Sequence, residues 1–285
     1  MLSLVPAANA QNRLLVSELL YQPLAGEAEY VELYNADTVG QNLGNYHIVR
    51  WIGDSLGRHY PLPDYVVAPH DYVVLTKDVS SVLANFQVKY VSKLVECDLP
   101  PYPNDGGSVI LASAESVVVE RFDYLPDMHS RLLRKKNGVS LERRSFEVAA
   151  NVALNWFSAS SMSGYGTPGY ENSQSLEYLA EESLFEFSSS IVSPDGDGYN
   201  DELVIDYELD MAELLARCEI YDSQGRLVCR LLNNDLLGTH GTIVWNGRDN
   251  SGMSLAQGQY VLVLTLFDTA GTKQVIKRAV ALVYR

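Results

Sequence analysis

The sequence predicts an all-β protein built from two immunoglobulin-like β-sandwich domains in tandem. Three observations carry this. Short runs rich in Val, Ile, Leu and Tyr recur along nearly the whole chain, divided by Gly, Asn, Asp and Pro clusters. Their spacing of roughly ten residues is that of sandwiches and barrels. The rhythm of a strand followed by a long helix is missing, which removes doubly wound and barrel α/β architectures. With 285 residues, and roughly 100–200 residues per domain, two domains are expected.

The strand runs in the first half are Leu14–Leu20, Tyr30–Tyr34, Tyr46–Trp51, Tyr72–Thr76, Ser108–Ala112 and Val117–Tyr124. Those in the second half are Leu203–Leu209, Cys218–Tyr221, Leu227–Leu231, Thr242–Trp245, Tyr260–Phe267 and Val275–Val283. Helical turns are expected only at Asp78–Phe86 and Ser175–Glu182. The turn-forming run Gly164-Tyr165-Gly166-Thr167-Pro168-Gly169 closes the first block, so the domains are read as 11–174 and 175–285. Residues 1–10 end in Ala8-Asn9-Ala10 and read as the remnant of a secretory signal cleaved before Gln11, or as a tail.

The chain carries 21 Lys and Arg against 36 Asp and Glu, a net charge of −15. That disfavours general nucleic-acid binding and suits a secreted or cell-surface protein. No apolar run reaches the ~20 residues that a membrane-spanning helix needs. Three cysteines make no disulfide framework. Cys218 and Cys229 flank Asp222-Ser223-Gln224-Gly225, whose Asp-first, Gly-fourth pattern is a type I turn with a glycine bulge. The bulge slips the register and favours free, buried thiols over a disulfide between them.

Two segments resemble known families. Leu15–Pro23, Glu29–Asn35 (Glu-Tyr-Val-Glu-Leu-Tyr-Asn), Asn42–Tyr46, Val67–Leu75, Val139–Arg143 and Asn155-Trp156 with Gly166–Asn172 come in the order of a lamin tail domain, with His70 where that family usually has glycine. The resemblance implies an immunoglobulin-like sandwich over residues 14–172, generally without catalysis. Cys218–Val228, Val244–Gly252 (Val-Trp-Asn-Gly-Arg-Asp-Asn-Ser-Gly) and Leu255–Tyr260 resemble the immunoglobulin-like module of the flagellar hook-capping protein. The upstream run Ser193–Asp201 is also similar to gliding-type C-terminal domains, some of which act as sorting signals for export.

Signatures of chemistry are sparse. There is no nucleophile elbow, zinc-protease helix, phosphate loop or dinucleotide fingerprint. The five histidines are scattered, and Glu29, Glu32 and Glu142 are read as strand and turn stabilisers rather than catalytic acids. Trp51 is the first candidate for an exposed aromatic that stacks a ligand. Arg131, Arg134, Lys135, Lys136, Arg143 and Arg144 cluster around Asn137-Gly138, and a hairpin there would gather them into a patch for an anionic polysaccharide or a surface protein. Asp195, Asp197 and Asp201, with the Tyr199 carbonyl, resemble the start of an oxygen-rich calcium loop, the only cofactor expected; the competing reading is a polar turn bonded to its own backbone.

The functional expectation is a secreted or surface binding, adhesion or assembly protein that is not an enzyme. The alternatives are an accessory module of an extracellular hydrolase or nuclease system, a C-terminal export signal, and an enzyme with an unrecognised carboxylate pair.

Overall fold

The computed structural model describes residues 14–52, 55–175 and 184–284, so the expected signal remnant at 1–10 and most of the second expected helical turn lie outside the described residues. The chain divides into two compact units. The first comprises residues up to His129 with Lys135–Ala159 and Tyr165–Asn172; the second comprises Ser130–Arg134, Ser160–Gly164 and Ser173 onward.

In the first unit the strands are β1 Leu14–Leu20, β2 Tyr30–Asn35, β3 Gln41–Asn42, β4 Tyr46–Ile52, β5 Ser55–Pro61, β6 Val66–Val67 and β7 Tyr72–Thr76. Helix α1 (Val79–Asn85) follows, then β8 Leu94–Glu96, β9 Gly107–Ser113, β10 Val118–Tyr124, β11 Leu141–Arg143 and β12 Trp156–Ser158. A six-stranded sheet in the order β12-β11-β1-β2-β7-β8 packs on a four-stranded sheet in the order β10-β9-β4-β5. Alternation puts Val31, Leu33, Val73 and Leu75 of the first sheet against Ile48, Val109, Leu111 and Phe122 of the second. Trp156 stacks on Phe122 at 3.6 Å and donates its indole N–H to the Ala150 carbonyl at 2.7 Å, so its polar edge is satisfied inside the core.

The six-stranded sheet is covered on its other face too. Leu20, Tyr30 and Val74 there pack under α1, which starts where the Asp78 carboxylate accepts the Ser80 and Ser81 N–H groups. Farther along this face lies the closing segment Tyr165–Asn172. Its Gly166 is tightly covered: a Cβ there would meet the Tyr30 hydroxyl and the Phe86 ring at 2.7 Å, so any side chain would displace them. His70, at the position where the resemblance leads one to expect glycine, has φ of 53°, the left-handed backbone that glycine takes most readily.

The second unit pairs a three-stranded sheet with a five-stranded one. Its strands are β13 Leu184–Phe187, β14 Ile191–Val192, β15 Leu203–Glu208, β16 Leu215–Asp222, β17 Leu227–Leu236, β18 His240–Trp245, β19 Gly258–Phe267 and β20 Lys273–Leu282. The orders are β13-β15-β18 and β14-β20-β19-β16-β17, with β14 and β20 parallel. The core between them holds Ile205, Trp245, Ile220, Leu262 and Leu264. At the β16–β17 turn Gly225 takes φ of 76° and donates to the Asp222 carbonyl. The bulges that follow set Cys218 opposite Leu232 and Cys229 opposite Ile220, so the two thiols are free and out of register.

Candidate functional site

The outer face of the four-stranded sheet gathers the most varied chemistry in the first unit. Val49, Ile110 and Ala112 form its buried apolar floor, and Trp51 and Leu56 pack against them. Trp51 stands on β4 rather than in a loop, and it is partly buried rather than fully open. The Arg121 guanidinium lies 4.3 Å from its ring centroid, a cation–π contact. Arg121 Nε in turn donates to both Asp123 carboxylate oxygens at 2.8 and 3.0 Å, and Ser108 Oγ donates to Asp123 at 2.5 Å. At the other side of the floor the His47 and His59 Nδ1 atoms lie 3.3 Å apart. A partly exposed aromatic ring flanked by hydroxyl, carboxylate, guanidinium and imidazole groups can offer a sugar apolar contact and exchange hydrogen bonds with its hydroxyls.

Part of the basic cluster is withdrawn from the surface patch the sequence suggested. Gly138 does take the turn conformation, with φ of 75°, and Val139 N–H bonds the Lys136 carbonyl, but no strand precedes the turn for β11 to pair with; β11 pairs with β1 and β12 instead. Arg131, Arg134 and Lys135 are exposed. Lys136 Nζ is engaged by the Pro126 carbonyl at 2.5 Å. Arg143 is 3% exposed and paired with Glu120 at 2.8 Å, so it faces the protein and not a ligand. Arg144 is partly buried, with its guanidinium over the Phe157 ring at 5.3 Å and its pKa lowered by that burial.

In the second unit, carboxylate oxygens of Asp195, Asp197 and Asp201 come within 4.8 Å of one another. The Asp201 carboxylate accepts the Gly196 and Gly198 N–H groups at 2.6 and 2.8 Å; Asp195 accepts from Asp197 N–H, and Asp197 from Tyr199 N–H. Gly196 and Gly198 take φ of 80° and 85°, which lets the backbone curl inward. This is a turn bonded to its own side chains, with second lone pairs left on the oxygens for a hard cation. The Tyr199 ring is exposed.

Several further groups that could carry chemistry are buried. His129 Nδ1 lies 2.9 Å from Ser158 Oγ, a pairing the scattered histidines of the sequence did not reveal. Both residues are buried, His129 Nε2 has no hydrogen-bond partner where a triad needs a carboxylate, and burial lowers the His129 pKa to about 4. Glu32 and Glu142 are fully buried beneath the closing segment, closed to a substrate. Glu29 is partly buried, its pKa raised by desolvation, and accepts the Tyr102 N–H at 3.2 Å.

Residues 7–126 match the Lamin Tail Domain family. Residues 186–282 match the CHU_C Type IX secretion signal domain. The protein is accordingly a secreted or cell-surface one, and among the described residues no helix is long and apolar enough to cross a membrane. Both matched families are non-catalytic. Solved structures with local likeness include FlgD from Xanthomonas campestris, a hook-capping protein, at 23% identity over 36% of this chain and 71% of that one, with a TM-score of 0.25. Latent PorU from Porphyromonas gingivalis is similar at 10% identity over 95% of this chain and 20% of that one, with a TM-score of 0.29. PorZ from the same organism, a surface component of its type IX secretion system, is similar at 12% identity over 93% and 30%, with a TM-score of 0.27. No curated protein is significantly similar in sequence.

Proposed function

We propose that the protein is exported through a type IX system by its C-terminal unit, and that the lamin tail domain then works at the cell surface as a non-catalytic module binding a polysaccharide. The observation that supports the binding role is the outer sheet face on which Trp51, Arg121, Asp123 and Ser108 form one connected group beside His47 and His59. The match of residues 186–282 to a secretion signal supports the export role.

Affinity electrophoresis of the full chain through gels containing surface polysaccharides tests the binding. Retardation by at least one polymer is expected, and Trp51→Ala is expected to weaken it about tenfold, roughly 1.4 kcal/mol. Equal retardation of wild type and variant would remove this face from the proposal.

Calcium at the acidic loop is a second proposal, supported by the convergence of the three carboxylates. Millimolar calcium is expected to raise the unfolding midpoint of the full chain, and Asp197→Asn to abolish the rise. No heat on titration, with a midpoint unchanged by chelator, leaves the loop as a self-bonded turn.

A further inference from the structure

The six-stranded sheet carries an arrangement that neither the export role nor the binding face uses. Glu18 on β1 stands in cross-strand register with both Glu32 on β2 and Glu142 on β11. All three side chains are fully buried. Residues directly opposite on neighbouring strands bring their Cβ atoms to about 5 Å. The row lies under the closing segment, which supplies much of its hydrogen bonding. Thr167 N–H donates to Glu18 at 3.0 Å, Thr167 Oγ1 donates to Glu142 at 2.9 Å, and Gly169 N–H donates to Glu32 Oε2 at 2.6 Å. The Tyr30 hydroxyl donates to Glu18 at 2.8 Å, and the Ser140 hydroxyl donates to it as well.

Every one of these donors is neutral. Glu32 Oε1 is buried without a hydrogen-bond partner. The cations on the surrounding elements are turned to other work. Arg143, next to Glu142 along β11, sends its guanidinium to Glu120 and to the Val16, Ser145 and Val148 carbonyls. Lys93 Nζ bonds Asp71 and the Gly169 carbonyl, and Lys89 lies over the Tyr170 ring. Helix α1 carries no charged residue. Tyr30 and Tyr170 are further titratable groups beside the row, and the closing segment itself carries the partly buried Glu171.

Two carboxylates taken wholly out of water beside a third are not all ionised together, because each loses hydration and repels its neighbours. We infer that Glu18 and Glu32 keep at least one proton between them at neutral pH, and that this neutralisation is a latch: it spares the buried row its charge repulsion and so lets the closing segment Tyr165–Asn172 stay seated on the sheet. Desolvation raises both groups, and for Glu32 the Glu18 charge adds to it. The folded protein then holds a proton that the unfolded chain surrenders above about pH 4.3. The latch contributes its full stability below that value and loses it as pH climbs through the folded-state pKa.

The test is a pH series of thermal unfolding on the full chain, with Glu32→Gln and Glu18→Gln beside wild type, together with infrared spectra of the folded protein. Glutamine keeps the shape and removes the ionisation. Between about pH 6 and about pH 9 the wild-type midpoint is expected to fall by about 3 °C or more relative to Glu32→Gln. At neutral pH the wild type is expected to show the carbonyl stretch of a protonated, water-excluded carboxylic acid, which fades as pH rises. Absence of that band at neutral pH, or identical pH slopes for wild type and both variants, would overturn the latch. Should a variant not fold, the infrared titration of wild type alone decides.

Discussion

Arg143→Ala is expected to destabilise the first unit by about 3–5 kcal/mol, the usual cost of removing one partner from a buried ion pair. The guanidinium is 3% exposed and makes four hydrogen bonds: to Glu120 at 2.8 Å, and to the Val16, Ser145 and Val148 carbonyls at 3.1, 3.1 and 2.7 Å. It thereby joins β1, β10, β11 and the loop after β11. Truncation takes the counter-charge from Glu120 and one donor from each of three carbonyls, of which those of Ser145 and Val148 keep the Asn155 side-chain amide. Lysine does not restore them, because one ammonium cannot span the geometry of the planar fork. Urea unfolding of Arg143→Ala and Arg143→Lys checks this. A loss below about 1 kcal/mol for alanine would return Arg143 to the pool of ligand-binding candidates.

That residue marks where sequence pattern stops informing. Arg143 and Lys135 look alike in a basic cluster, yet one lies in the core of a sandwich and the other in solvent. Pairing decides which, and pairing is long-range: β11 joins β1, over a hundred residues earlier in the chain. Runs set by local alternation were legible. Leu14–Leu20 and Tyr72–Thr76 coincide with β1 and β7, and the bulge at Gly225 follows from its turn residues. Strand β5 was not legible, because Ser-Leu-Gly-Arg-His-Tyr-Pro has neither alternation nor β-branched residues; it is held by pairing with β4. Glu32 alternates with Val31 and Leu33, so it had to point outward or to a loop partner, and the partner is Gly169. Its complete burial needed knowledge that the closing segment folds back there.

The candidate sites divide in the same way. The acidic loop is local, and its three aspartates converge as their spacing suggests. The Trp51 face is assembled across strands. Trp51 was legible as a candidate, while Arg121, Asp123, Ser108 and His59 join it only once β10, β9, β4 and β5 lie side by side.

Trp245→Ala is expected to cost the C-terminal unit about 3–5 kcal/mol, the range for deleting a buried Trp. The indole is 1% exposed, lies edge-on to Tyr260 at 5.7 Å, and donates its N–H to the Arg248 carbonyl at 3.1 Å. That bond ties the core to the loop after β18. The same loop is pinned by the Asp249 carboxylate, which accepts the Ser251 and Met253 N–H groups, and by Leu255 N–H on the Gly247 carbonyl. Loss of the indole therefore opens a cavity and frees the loop together. Arg248→Ala keeps the carbonyl and removes only an exposed contact to the Gly252 carbonyl, so it should cost under about 0.5 kcal/mol. Because the proposed export role belongs to this unit, Trp245→Ala should also lower the amount of protein at the surface of a host with type IX secretion, whereas Trp51→Ala should leave it unchanged. Unfolding curves and surface labelling of the three variants measure both effects. Normal surface display of a Trp245→Ala chain shown to be unfolded in its C-terminal unit would separate export from the fold and overturn that part of the proposal.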